Sequence, residues 1–213
     1  MNRISSWIRQ VASAGNRARV CLLVLLVTVF VGGAHAAGVT VSVNETQGTY
    51  SVRGELVTHA PLAVAWSVLT DYDHISSFVR SMKTSVSEQR PDGRLVVRQV
   101  AVAGLFPVRK TVHIELEVSE EAGRSIAFHD VLLRDFHTYA GAWDVTADSS
   151  GTRVYYWLEA SPKMFVPFAG RSVMTRSARD LLSQVGAEIA RRAAAGPSRS
   201  PTMSPVTDAR LIH

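Results

Sequence analysis

The chain has 213 residues, 46% of them hydrophobic and 19% charged, the composition of a globular protein with a sizeable core. Its 23 basic residues outnumber 18 acidic ones. However, Arg3, Arg9, Arg17 and Arg19 lie in an N-terminal stretch without acids, and the rest is close to neutral, which removes the support for a nucleic-acid partner.

The stretch 1–36 has the parts of a secretory signal peptide: the basic segment, the apolar run VCLLVLLVTVFV at 20–31, and Ala34-His35-Ala36, small residues where a signal peptidase cuts. A membrane span needs roughly 20 apolar residues, so a retained anchor is the weaker reading of this run. Cleavage is expected after Ala36, with export to the periplasm of a Gram-negative host or secretion otherwise. The only cysteine, Cys21, leaves with the signal, and the domain is expected to hold together without disulfides.

VTVSV at 39–43 and YSVRGELV at 50–57 read as an opening hairpin around the polar stretch Asn44 to Thr49. Pro61 starts a short helix in which Leu62, Ala65, Trp66 and Leu69 share a face; Asp71-Tyr72-Asp73 ends it, and a second turn, HISSFV, follows. Strands are then predicted over Lys83–Gln89, Arg94–Val102, Val108–Ser119, Ser125–Leu133, Asp135–Thr146 and Thr152–Ala160. Alternation in the third of these is clean, with Val112, Ile114, Leu116 and Val118 on one face and His113, Glu115 and Glu117 on the other.

A long helix is predicted from Pro167 to Ala195, with an apolar stripe of Val173, Met174, Ala178, Leu181, Leu182, Val185, Ile189 and Ala193. Gly196 suits its left-handed cap, and Pro197 cannot continue it. Glu188 is read on the wet face, paired to Arg192 at i, i+4. The Pro/Ser-rich residues 196–213 are expected to be a disordered tail. No βαβ alternation calls for a parallel sheet, so the fold class is α+β: one antiparallel sheet whose buried face needs the long helix as its cover.

The order of these elements resembles the START-like (SRPBCC, helix-grip) superfamily. The resemblance is carried by Trp66 to Tyr72 and Phe78, Gly141-Ala142-Trp143, Gly151 to Tyr156, and Pro162 and Pro167 before the helix. Within it the chain is most similar to the polyketide cyclase/dehydrase and lipid-transport group, including coenzyme Q-binding START-like proteins. The resemblance covers about residues 50–192 and places a START-like domain at 37–195. It implies a curved antiparallel sheet gripping the C-terminal helix, two short helices after the opening strands at the entrance, and an apolar cavity between sheet and helix.

By strand parity and this pattern, Val112, Ile114, Leu116, Phe128, Tyr139, Trp143, Val154, Tyr156 and Leu158 point inward, opposite Met174, Leu181 and Val185. Each is either cavity wall or plain core. Tyr72 and Phe78, with Phe106, Met164, Phe165 and Phe168, form an apolar group at the expected entrance, which either meets ligand or a membrane surface or packs over the end of the core. Lys110 is the one charge on the apolar face of its strand; it either snorkels or meets an acidic head group.

Enzyme signatures are thin: no G-x-S-x-G elbow, no H-E-x-x-H, and no phosphate-cradling glycine loop. His113 reads as solvated, whereas His129, His137 and Tyr139 could serve a cyclase as acid or base. No metal, cofactor or catalytic set is expected. The leading expectation is therefore an exported, non-catalytic domain binding a hydrophobic small molecule of lipid or isoprenoid-quinone class, with transient membrane-surface contact; the rival is a polyketide cyclase/dehydrase-type enzyme.

Overall fold

The two opening β-rich pieces form a hairpin, β1 (Gly38–Thr46) and β2 (Thr49–Thr58). Its turn holds Gln47 at φ 51° and Gly48 at φ 77°, the left-handed pair that matches the twist of a two-residue hairpin. A computed structural model of the chain describes residues 38–105, 108–164 and 170–196. The predicted export segment, the tail from Pro197 onward, and Phe106, Phe165, Pro167 and Phe168 lie outside the described residues.

Pro61 caps α1 (Leu62–Leu69), and a 3-10 turn (Tyr72–His74) and α2 (Ile75–Phe78) follow. Then come β3 (Met82–Gln89), β4 (Leu95–Leu105), β5 (Val108–Glu121), β6 (Ser125–Asp130), β7 (Phe136–Asp148), β8 (Gly151–Pro162) and α3 (Gly170–Ala195). One strand departs clearly from expectation: β6, predicted to reach Leu133, stops at Asp130. There the Asp130 carboxylate turns back and accepts the N–H groups of Glu115 and Leu132, each at 3.0 Å, and Leu133 takes φ 46°. A side chain that satisfies its own backbone competes with the ladder, and the strand ends.

All eight strands join one antiparallel sheet in the order β1-β2-β8-β7-β6-β5-β4-β3. From β3 to β8 the chain meanders through short connections. The non-sequential pairing of β2 with β8 follows from the short helices, which carry the chain from the hairpin to the far edge of the sheet at β3. Paired strands keep their alternation in register: Val52 and Leu56 of β2 sit opposite Leu158 and Val154 of β8, and all four are buried. In β5, Val112, Ile114, Leu116 and Val118 are buried as the sequence alternation predicts.

This is the helix-grip arrangement the resemblance implies. The long helix α3 packs mainly on β2, β1 and α1. Leu182 and Ile189 are fully buried and Val185 nearly so, each such side chain contributing about 1.5–3 kcal/mol through the apolar area it removes from water. Gly196 ends the helix at φ 69°, its N–H donating to the Ala193 carbonyl at 3.3 Å, which fulfils the predicted left-handed cap.

Glu188 requires correction: it is buried, not on the wet face. Arg191 and Arg192 both donate to its carboxylate at 2.7 Å, and Arg192 reaches on to Asp71 at 2.6 Å. The i, i+4 pair is therefore part of a clamp fixing the end of α3 to the end of α1. A buried carboxylate is tolerable only with such partners.

Candidate ligand-binding cavity

The C-terminal half of α3 belongs to the core, filled out by Ala65, Val68 and Leu69 of α1. Its N-terminal half leans on β1 and β2 along one edge and parts from β4 and β5 along the other, and a cavity of about 660 Å³ opens between them. That volume lies within the range of about 300–1,000 Å³ usual for small-molecule sites. Val52 of β2, Ala101 of β4, Val112 and Ile114 of β5, Tyr139 of β7, and Tyr156 and Leu158 of β8 form its sheet wall; Val173, Met174 and Leu181 form its helix wall.

Small residues of β4 make the room. Ala101 pairs with Val112 and Ala103 with Lys110, and both alanines face the gap. The segment Val79–Met82, just after α2, closes the mouth on the other side, held by the Gln184 side chain of α3, which accepts the Arg80 N–H at 2.7 Å.

Polar groups also line it, among them Arg80, Gln99, Lys110, Asp135, Arg176 and Asp180. Tyr139 and Tyr156 interact through their hydroxyls; burial pushes Tyr139 up to about 12 and Tyr156 well above the ordinary tyrosine value. Both stay neutral near pH 7 and are available as hydrogen-bonding groups. At the rim, Asp135 is buried and its carboxylate accepts from Lys110 Nζ and from the His113 N–H, each at 2.8 Å. The Lys110 hydrogen bond, then that backbone N–H, holds the Asp135 carboxyl below the usual carboxylate range. Lys110 thus snorkels to a carboxylate of this chain.

A family model described as "Polyketide cyclase / dehydrase and lipid transport" matches residues 28–190. The chain belongs to that family. Solved structures bear out its START-like fold in this member of the polyketide cyclase/dehydrase and lipid-transport family. A fragment of a STAR-related lipid transfer protein from Xanthomonas axonopodis is 17% identical, covering 71% of this chain and 93% of its own at a TM-score of 0.58. The lipid transfer and protein localization domain of human StarD13 is 7% identical, covering 71% and 84% at 0.55. The Zhui aromatase/cyclase from Streptomyces sp. R1128 is 16% identical, covering 75% and 99% at 0.51. No curated protein matches the chain.

Of the residues singled out from sequence, Val112, Ile114, Tyr139, Tyr156, Leu158, Met174 and Leu181 line the cavity of this family member. Six others do not. Leu116 and Val185 lie farther along their elements, in the solid half of the core. Phe128 and Trp143 stand beside the wall on the same face of the sheet, Phe128 with its ring centroid 6.2 Å from that of Tyr139, and Trp143 4.4 Å from Tyr156. Tyr72 donates to Glu120 near the far end of β5, at 2.6 Å, and Phe78 packs against the core. The short helices therefore cap the filled end, and only the segment after them, Val79–Met82, reaches the mouth.

The histidines do not reach the cavity. His129 and His137 are exposed, because Phe128 and Asp130 take the inward positions of β6, and an irregularity in β7 between Phe136 and Thr138 leaves His137 outward. Among the described residues, no group of three or more His, Cys, Asp or Glu could hold a metal ion. The sequence reading missed Tyr50, Gln99, Ala101 and Asp135, all of which line the cavity. For Ala101 a signal existed: its strand, apolar on both faces, carries its smallest side chains where the helix parts from the sheet.

Proposed function

We propose that the protein binds and carries a hydrophobic small molecule, of lipid or isoprenoid-quinone class, in the cavity beneath α3. The observation that carries this reading is the cavity of about 660 Å³, whose sheet and helix walls are aliphatic and aromatic side chains around Tyr139 and Tyr156, with charged and polar side chains such as Arg80, Lys110, Arg176 and Asp180 also among its lining. Transfer of an apolar ligand there is favoured by roughly 25 cal/mol per Å² of surface removed from water, and the hydroxyls of Tyr139 and Tyr156 orient one polar group of the ligand. The family's lipid-transport description is in keeping with it.

Native mass spectrometry of protein purified from its own host tests the reading. Wild type is expected to retain an apolar ligand, and Leu181→Arg to lose it while keeping its fold by circular dichroism. An empty wild-type protein that also binds no apolar probe would sink the proposal.

A second reading, a cyclase acting on a polyketide-like chain, draws on the same family description and on the tyrosine pair inside the cavity. Its expected signature is turnover of an added polyketide that disappears in Tyr139→Phe. Export belongs to the proposal as well and rests on the sequence of residues 1–36. N-terminal sequencing of the protein recovered from its host is expected to begin at Ala37.

A further inference from the structure

Between β6 and β7, three consecutive aliphatic residues stand in solvent: Val131, Leu132 and Leu133 are 42%, 45% and 43% exposed. Water disfavours such a run, and a soluble surface normally scatters its apolar side chains singly. The backbone beneath is held at every step. Val131 N–H donates to the Glu115 carbonyl at 2.8 Å, Leu132 N–H to the Asp130 carboxylate at 3.0 Å, and Lys163 Nζ to the Leu133 carbonyl at 2.6 Å. Leu133 is fixed at φ 46°, a conformation costly for a bulky residue. The loop thus presents three apolar side chains outward on a braced frame.

Its surroundings identify the partner. Arg134 and Lys163, both exposed, flank the tip, and neither makes an ion pair among the described residues. The nearest acid in sequence, Asp135, is already matched by Lys110. The loop also borders the cavity mouth: Asp135 and Phe136 follow it directly, and Pro162 and Met164, on either side of Lys163, line the cavity as they do. An apolar tip beside exposed cations is complementary to a bilayer whose head groups are anionic and whose acyl chains lie just beneath. No helix among the described residues is long and apolar enough to cross a membrane.

We propose that the Val131–Leu133 loop, with Arg134 and Lys163, docks the protein on an anionic lipid surface with the cavity mouth facing the membrane. This does not depend on what occupies the cavity. Because the full chain carries the apolar run 20–31, bulk binding to vesicles would not discriminate, and the local depth of the loop does. In a Cys21→Ser background, an environment-sensitive fluorophore is attached at Leu132→Cys or, as a control at the opposite end of β7, at Ser149→Cys. Vesicles of phosphatidylcholine alone, or with phosphatidylglycerol, are then added.

The expected result is a blue shift at position 132 and none at 149, requiring phosphatidylglycerol. Adding Arg134→Glu is expected to raise the lipid needed for half the shift at least about fivefold, from the weight of one basic side chain near the surface. No shift at 132, an equal shift at 149, or an equal shift with phosphatidylcholine alone would overturn the proposal. So would a shift at 132 without vesicles that grows with protein concentration, which would make the tip a contact between copies of this chain.

Discussion

Leu182 of α3 packs against Gly54 of β2 so closely that a Cβ at Gly54 would collide with the Leu182 methyl group. Leu182 is fully buried and has nowhere to retreat. The contact pins the helix to the hairpin side of the sheet, and its opposite edge consequently stands off from β4 and leaves the cavity.

Gly54→Ala is therefore expected to destabilise the protein by about 1–3 kcal/mol through overpacking, measured as the urea midpoint at an unchanged m-value. The sign is decisive, since removing a glycine's freedom from the unfolded chain alone would stabilise by about 0.4–1 kcal/mol. Leu182→Ala in the same chain relieves the collision, and the double variant is expected to lose less than the sum of the two singles.

Adjacent positions on α3 separate core from cavity. Leu182 is fully buried, whereas Leu181 is partly exposed and lines the cavity. Leu182→Ala is expected to cost about 2–5 kcal/mol, as large-to-small changes in a filled core do. Leu181→Ala removes few packed neighbours and is expected to cost less than about 1 kcal/mol, while weakening the binding of an apolar fluorescent probe. Equal stability losses at the two positions would mean that helix and sheet touch throughout.

Periodicity made the fold legible but not its depth. The alternation of β5 and the stripe of α3 assigned the inward faces of those elements, because an amphipathic element has one consistent solution. Leu116 and Ile114 are indistinguishable in that pattern, yet one is solid core and the other cavity wall. The difference is made by Ala101 and Ala103 on the neighbouring strand and by Gly54 on the far side of the helix, partners at long range in the chain. The orientation of His129 and His137, left open by the sequence, was not legible for a related reason: it follows from where β6 ends and where β7 is irregular, both set by interactions with residues outside the strands' own pattern.

The clamp at the end of α3 gives the protein a pH signature. The hydrogen bond from Arg191, followed by that from Arg192, holds the Glu188 carboxyl at about 2 against an ordinary value of 4.5. Its folded pKa is depressed, so its contribution is complete above 4.5 and is lost as the pH falls toward 2. Arg191 is two-thirds exposed and screened by water, which reduces the effect to about 2 kcal/mol. Glu188→Gln is expected to lower stability by that amount at pH 7, with the gap to wild type narrowing below pH 4.5 when urea midpoints are compared across pH.

The tyrosine pair distinguishes a structural from a ligand-orienting role. Tyr139→Phe alone leaves the Tyr156 hydroxyl buried without its partner, a loss of about 1–3 kcal/mol, whereas replacing both by Phe removes donor and acceptor together and is expected to be nearly neutral for stability. If the hydroxyls orient a polar group of the ligand, the double variant still loses affinity, by about fivefold for one neutral hydrogen bond. The paired replacement of His129 and His137 by Ala, both on the outer surface, is expected to change neither quantity. Calorimetric titration with the ligand recovered from the wild-type protein, alongside urea denaturation of each variant, measures both. An unchanged affinity in the double tyrosine variant would reduce the pair to a satisfied element of the wall.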